Sequence, residues 1–101
     1  MKIIPCDPQT LEVSGLLELV ASNAAQVRDD IRAALTPSTT LLDIDLSGVT
    51  FLDSSGLGAL ISLHKSLRSQ NGTVRLVNPS LNVRQILELT RLHRVFEILN
   101  R

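Results

Sequence analysis

Between Leu41 and Leu46 the residues alternate, with Leu42, Ile44 and Leu46 on one side of an extended segment and Asp43 and Asp45 on the other. A period of two predicts a strand with one apolar face and one face that is at least partly wet. A doubly wound sheet covered on both faces would instead favour near-continuous apolar runs in its central strands, so helices are expected mainly on one side. Thr73-Val74-Arg75-Leu76-Val77 alternates in the same way and predicts a second such strand. Elsewhere the period is helical. Val27, Ile31, Ala34 and Leu35 predict a first helix, with Asn23 and Gln26 spaced as a capping box and Pro37 ending the pattern. Leu57, Leu60, Ile61, His64 and Leu67 form the stripe of a second helix, which Asn71-Gly72 stops. Val83, Ile86, Leu87 and Thr90 describe a third, for which Asn78-Pro79 can serve as cap and first helical residue.

The flanks complete the order. Ile3-Ile4 and Thr10 to Val20, broken by Ser14-Gly15, predict a strand hairpin, and Val95 to Leu99 a closing strand. The fold class is therefore α/β, with a mixed β-sheet, helices mainly on one face, parallel pairs made by crossover helices and one antiparallel pair near the N-terminus. Breaks occur at Pro5 to Pro8, Thr36-Pro37-Ser38, Asn71-Gly72 and Asn78-Pro79-Ser80. None is long enough to be a linker, so the 101 residues are expected to form one domain, 1–101.

Composition narrows the function classes. Ten Lys+Arg against ten Asp+Glu give zero formal net charge, and Phe51 and Phe96 are the only aromatics. Without a basic field or stacking platforms, no nucleic-acid partner is expected. The longest apolar stretches, such as Leu57 to Leu63, fall far short of the roughly 20 residues that span a bilayer, so no membrane insertion is expected either. Met1-Lys2-Ile3-Ile4-Pro5 contains no signal-peptide core, which makes a cytoplasmic location the default expectation. Cys6 has no second cysteine to pair with, and with His64 and His93 it shows no metal-ligand spacing, so it reads as a small apolar side chain and neither cofactor nor metal is expected.

Polar and glycine residues crowd one predicted strand-to-helix junction, Asp53-Ser54-Ser55-Gly56-Leu57-Gly58. A helix start offers unpaired N–H groups and a positive dipole end, so a hydroxyl there can accept a phosphate that its surroundings tolerate. The same residues also have a structural reading: Asp53, Ser54 or Ser55 as helix cap, the glycines for close helix-to-sheet packing. The segment is neither a Walker loop nor a dinucleotide fingerprint. Nucleophilic catalysis would need a base near the serine, but His64 lies about 15 Å further along the same helix and belongs to its apolar stripe. His93, in Arg91-Leu92-His93-Arg94, reads as part of a solvated face or a complement to a helix C-terminus. Asp43 and Asp45, two apart on an exposed strand face, read as residues that maintain solubility and block edge pairing. The expectation is a protein without enzymatic activity.

Positions 41 to 60, Leu-Leu-Asp-Ile-Asp-Leu-Ser-Gly-Val-Thr-Phe-Leu-Asp-Ser-Ser-Gly-Leu-Gly-Ala-Leu, resemble the signature of STAS domains of the anti-sigma factor antagonist family. The downstream order of Asn71-Gly72, Val74 to Val77, Pro79, Val83 to Leu89 and Phe96 is similar too, so the resemblance covers about 41 to 99. Before residue 40 the family's Gly-Glu-Leu-Asp-like turn is replaced by Gly15-Leu16-Leu17-Glu18, and the acidic partner-contact position of that turn maps onto Glu18. The resemblance implies a small α/β sandwich and a partner switch. An unphosphorylated antagonist binds an anti-sigma factor serine kinase, the kinase phosphorylates the serine after the signature aspartate, and a type-2C-like serine phosphatase reverses this. By that resemblance Ser54 is the phosphoacceptor, and Asp53, Ser54, Ser55, Gly56, Leu57 and Gly58 are the partner surface, extended by Glu18. It also implies a monomer or weak dimer. The other role it allows is a STAS subunit of a lipid-transporting ABC system, where the domain is a structural contact.

Overall fold

The computed structural model describes residues 1–101. Its elements are β1 (Lys2–Asp7), β2 (Thr10–Ser14), α1 (Ala24–Ala34), β3 (Leu41–Asp45), α2 (Ser54–Arg68), β4 (Thr73–Val77), α3 (Leu81–Leu89), a 3-10 turn (Leu92–Arg94) and β5 (Glu97–Leu99). The strands form one sheet in the order β1-β2-β3-β4-β5. The β1–β2 pair is antiparallel, with an irregularity between Pro5 and Asp7, and the other three pairs are parallel. This is the mixed α/β sheet that the alternating periods predict.

The alternation decides which face is covered. Leu11 and Val13, Leu42, Ile44 and Leu46, and Val74 and Leu76 turn inward and share one core with Val27 and Ile31 of α1, Leu60, Leu63 and Leu67 of α2, and Val83 and Leu87 of α3. Burying a Val, Leu or Ile contributes roughly 1.5–3 kcal/mol each, so this shared layer supplies the main driving force for folding. No helix is long and apolar enough to cross a membrane.

The opposite face is charged but not simply wet. The strand register sets Glu12, Asp43, Arg75 and Glu97 side by side on β2 to β5. Asp43 is buried, and both its oxygens accept from Arg75: Nε donates to Oδ1 at 2.6 Å and an Nη to Oδ2 at 2.8 Å. Arg101 donates to the same Oδ2 at 3.1 Å. The expectation of an exposed carboxylate pair guarding an edge is thus corrected: β3 is the central strand, and Asp43 is the anchor of an ion-paired network. Asp45 is half-buried and accepts the Ser47 N–H at 2.9 Å.

Three helix details also differ from the sequence reading. Asn23 does precede α1, but its side chain makes no cap hydrogen bond. It turns back instead, accepting from the Val20 N–H and donating to the Glu18 carbonyl, while Gln26 bonds Asp30. The cap of α3 is Ser80, whose hydroxyl accepts from the Val83 N–H, because Asn78 adopts a left-handed conformation (φ 51°) that cannot enter a helix. The buried stripe of α2 runs through Gly56, Ala59, Leu60, Leu63 and Leu67, leaving Leu57, Ile61 and His64 half-buried on its flank.

His64 packs edge-on against Phe96, with ring centroids 5.6 Å apart and an interplanar angle of 72°. Burial, then the neighbouring Arg68 charge, holds the imidazole pKa below its ordinary value. The folded state therefore favours the neutral ring. Its stabilising effect is complete above the unfolded-chain pKa of about 6.5 and is lost as pH falls below it. Urea unfolding at pH 7.5 and pH 5.5 should show a drop in stability that is smaller in His64→Leu. Equal drops in both proteins would remove His64 as its source.

Candidate functional site

Parallel strands β2, β3 and β4 all point their C-terminal ends to one edge of the sheet, and the loops after them meet there. Loop 15–23 crosses loop 46–53 through a bridge between Leu19 and Leu52. The Thr50 N–H donates to the Leu17 carbonyl and the Leu19 N–H to the Phe51 carbonyl, each at 3.3 Å. The loop before α3 joins through the Ser80 hydroxyl on the Val49 carbonyl, and the first turn of α3 through the Asn82 amide on the Thr50 carbonyl. Ser54 opens α2 in the middle of this assembly.

Asp53 fixes that start. One carboxylate oxygen accepts the Gly56 N–H at 2.9 Å, which caps α2, and the other accepts the Ala21 N–H at 3.0 Å, which ties down the preceding loop. The Gly56 N–H bond, with smaller contributions from the Ala21 and Ser55 amides, holds the Asp53 carboxyl below the usual carboxylate range. The residue stays ionised and in place at neutral pH. Because Asp53 provides the cap, Ser55 does not, and both Ser54 and Ser55 are exposed hydroxyls in the first turn.

The two glycines have opposite surroundings. Gly56 is buried: a Cβ there would lie 2.1 Å from the Leu19 carbonyl oxygen and 2.7 Å from Leu52. It supports the patch from beneath and is not part of its surface, which corrects its place among the contact residues. A Cβ on Gly58 meets nothing within 4 Å. Gly58 and Ser55 line a groove of about 380 Å³ with Ala21, Ala24, Ala25, Arg28 and Ala59.

The structure thus brings Glu18, Asp53, Ser54, Ser55, Leu57 and Gly58 to one edge, with Leu57 half-buried on the flank of α2. It adds Leu19 and Ala21, whose backbone groups complete the frame, and Asn23, which holds the Glu18 carbonyl and the Val20 N–H. Asn23 carried a signal in the sequence, a helix-start asparagine, but its partners lie upstream in the loop. Leu19 and Ala21 carried none. No group of three or more His, Cys, Asp and Glu side chains is arranged to hold a metal ion.

The STAS domain family model matches residues 5–101. A STAS-domain containing protein of Pseudomonas aeruginosa is 37% identical over 90 residues, covering 88% of this chain and 85% of that protein. The anti-sigma-B factor antagonist of Listeria monocytogenes is 31% identical over 94 residues, covering 93% and 82%. Among solved structures, a candidate anti-sigma factor antagonist from Thermotoga maritima superposes with a TM-score of 0.89 at 25% identity, over 99% of this chain and 86% of that one. The Bacillus cell fate determinant SpoIIAA in its phosphorylated form gives 0.74 at 22% identity, over 99% and 89%, a likeness of fold.

Proposed function

The chain belongs to the STAS domain family, and from that premise we propose that it is an anti-sigma factor antagonist whose grip on a serine-kinase partner is switched by phosphorylation of Ser54. One observation carries the reading: Ser54 is an exposed hydroxyl at the first position of a helix whose cap, Asp53, is already occupied by two backbone amides. The hydroxyl has no structural duty, so it can be modified without unmaking the fold. The relative from Listeria monocytogenes is named an anti-sigma-B factor antagonist, which supports the antagonist part of this reading.

A phosphate at this place has two physical effects. The helix start tolerates it, because the dipole and the free N–H groups favour negative charge. The interface does not, because about −1.5 to −2 charges appear beside Asp53 and must be stripped of water for a partner to close over them. The fold survives while affinity falls. A type-2C-like phosphatase restores the binding form, and the contact surface is formed by Asp53, Ser54, Ser55, Leu57 and Gly58 with Glu18 at its border.

Serine variants test the assignment. Ser54→Ala should take up no phosphate from the cognate kinase and ATP, as read by intact mass, yet bind that kinase like the unmodified chain. Ser54→Asp should bind more weakly. Ser55→Ala should still be phosphorylated, and its melting temperature should match wild type, because Asp53 holds the cap. A phosphate mapped to Ser55, or normal labelling of Ser54→Ala, would assign the switch to the wrong hydroxyl.

A further inference from the structure

The groove between α1 and α2 holds one charged side chain, Arg28, with Ala24 and Ala25 beside it on α1 and Ser55, Gly58 and Ala59 on α2. Residues four apart in a helix lie one above the other, so Ser54 stands one turn from Gly58, at the mouth of this groove. Nothing fills the space between. A Cβ on Gly58 meets no atom within 4 Å, and the alanines beside it end at their methyls, which leaves about 380 Å³ open between Arg28 and the start of α2.

Arg28 is also the cation free to use that space. From residue 3 to residue 64 the only Lys or Arg residues are Arg28 and Arg32. Arg32 donates to the Ser62 hydroxyl, which lies about 12 Å beyond Ser54 along α2 by the 1.5 Å rise per residue. Arg28 donates through Nε to Asp29 at 2.9 Å, in an ion pair whose side chains are 35% and 58% exposed. A surface pair of this kind contributes little, so it is readily given up. The other charges around Ser54 are acids. Asp53 is taken by the Ala21 and Gly56 amides, Asp45 at the end of β3 accepts from Ser47, and Glu18 is exposed on the loop after β2. Residues 78–83, which lead into α3, contribute no charge.

We infer that phosphorylation of Ser54 draws Arg28 off Asp29 and across the groove onto the phosphate, which makes Arg28 the positioning residue of the modified state. The inference rests on the proposed function and adds what the phosphate meets within this chain. Transfer of the γ-phosphoryl group of ATP to the Ser54 oxygen releases ADP and the hydroxyl proton, and leaves close to two negative charges beside Asp53. A guanidinium meets such a group through two parallel N–H donors, a stronger contact than the single bond it gives up. The phosphate is thereby turned toward α1, and the modified helix start gains a tie to α1 that the unmodified one lacks.

Phosphoserine is installed at position 54 of the full chain during synthesis, and its second ionisation, ordinarily near about pH 6, is titrated by phosphorus NMR. In Arg28→Gln the midpoint should lie about one pH unit higher than in the otherwise unsubstituted chain, because the neighbouring cation that favours the dianion is gone. Arg28→Lys should keep part of the difference. Gly58→Leu, which leaves Arg28 in place and fills the groove, should lose most of it, and Arg32→Gln should titrate like the unsubstituted chain. In parallel, the unmodified chain is incubated with its cognate kinase and ATP, and labelling at Ser54 is mapped by mass. Equal midpoints with and without Arg28, in a chain that the kinase does label at Ser54, would show that the phosphate is held by other groups, and the inference falls while the switch stands. A chain left unlabelled at Ser54 removes the switch and the inference together.

Discussion

Gly56→Ala should destabilise the protein by about 3 kcal/mol, although alanine is the better helix former by about 1 kcal/mol. The added methyl would sit 2.1 Å from the Leu19 carbonyl oxygen and 2.9 Å from its carbon, and these are backbone atoms held by the Leu19–Leu52 bridge. No side-chain rotation can relieve such an overlap. Either α2 or loop 15–23 must move, and the Asp53 bonds to Ala21 and Gly56 move with it. For a domain of this size the change corresponds to a melting point lower by roughly 15 °C. Gly58→Ala, two residues along the same helix, should do the reverse and stabilise by about 0.5–1 kcal/mol, since its methyl enters open space. Calorimetry on both variants checks the pair. A Gly56→Ala melt within about 2 °C of wild type would show that the loop yields freely, and the rigid frame around Ser54 would have to be abandoned.

Asp43→Ala should cost a similar amount, about 3 kcal/mol, for an electrostatic reason. Its side chain is 5% exposed, and removing it leaves Arg75, whose side chain is 22% exposed, without the two oxygens that its guanidinium faces. A guanidinium keeps its proton throughout the accessible pH range even without Asp43, so Arg75 cannot escape by losing its charge. Part of the loss is recovered because Glu97 lies next to Arg75 in register, which keeps the effect at the low end of what breaking a buried pair costs, about 3–5 kcal/mol. Replacing both partners, as in Asp43→Leu with Arg75→Met, should restore most of the stability, because the penalty belongs to the orphaned charge. Urea denaturation of the two single variants and the double variant reads this as a cycle. A single Asp43→Ala variant within about 1 kcal/mol of wild type would mean that water already solvates the pair.

The sheet and its covered face were legible because periods of two and 3.6 are local properties of the chain. What escaped was decided by groups far apart in sequence. Nothing within residues 41–46 distinguishes Asp43 from Asp45; the register that sets Asp43 against Arg75, and the return of Arg101, make one an anchor and leave the other a turn acceptor. In Asp53-Ser54-Ser55 each residue type can cap a helix, and the choice follows from an Ala21 amide 32 positions upstream that only a carboxylate with two oxygens can reach together with Gly56. The α2 stripe was read one flank off because Gly56 and Ala59 are buried without being conspicuously apolar. Gly56, Leu60, Leu63 and Leu67 are as regular as the leucines and the histidine that drew attention. The exposed edge around Ser54 came through as a motif, whereas the frame beneath it came through only in space.

Strand order in this sheet is the same as chain order. During synthesis each strand therefore emerges next to the one it will pair with, and no later segment has to be inserted between two strands already bonded. The Ser54 edge is assembled from the ends of β2, β3 and β4, so its frame can close once α3 has emerged. The last strand, only three residues long, then adds to an edge that is already in place. That order lets the loops around Ser54 mature along with the core, limiting the time during which half-made apolar surface is exposed to aggregation.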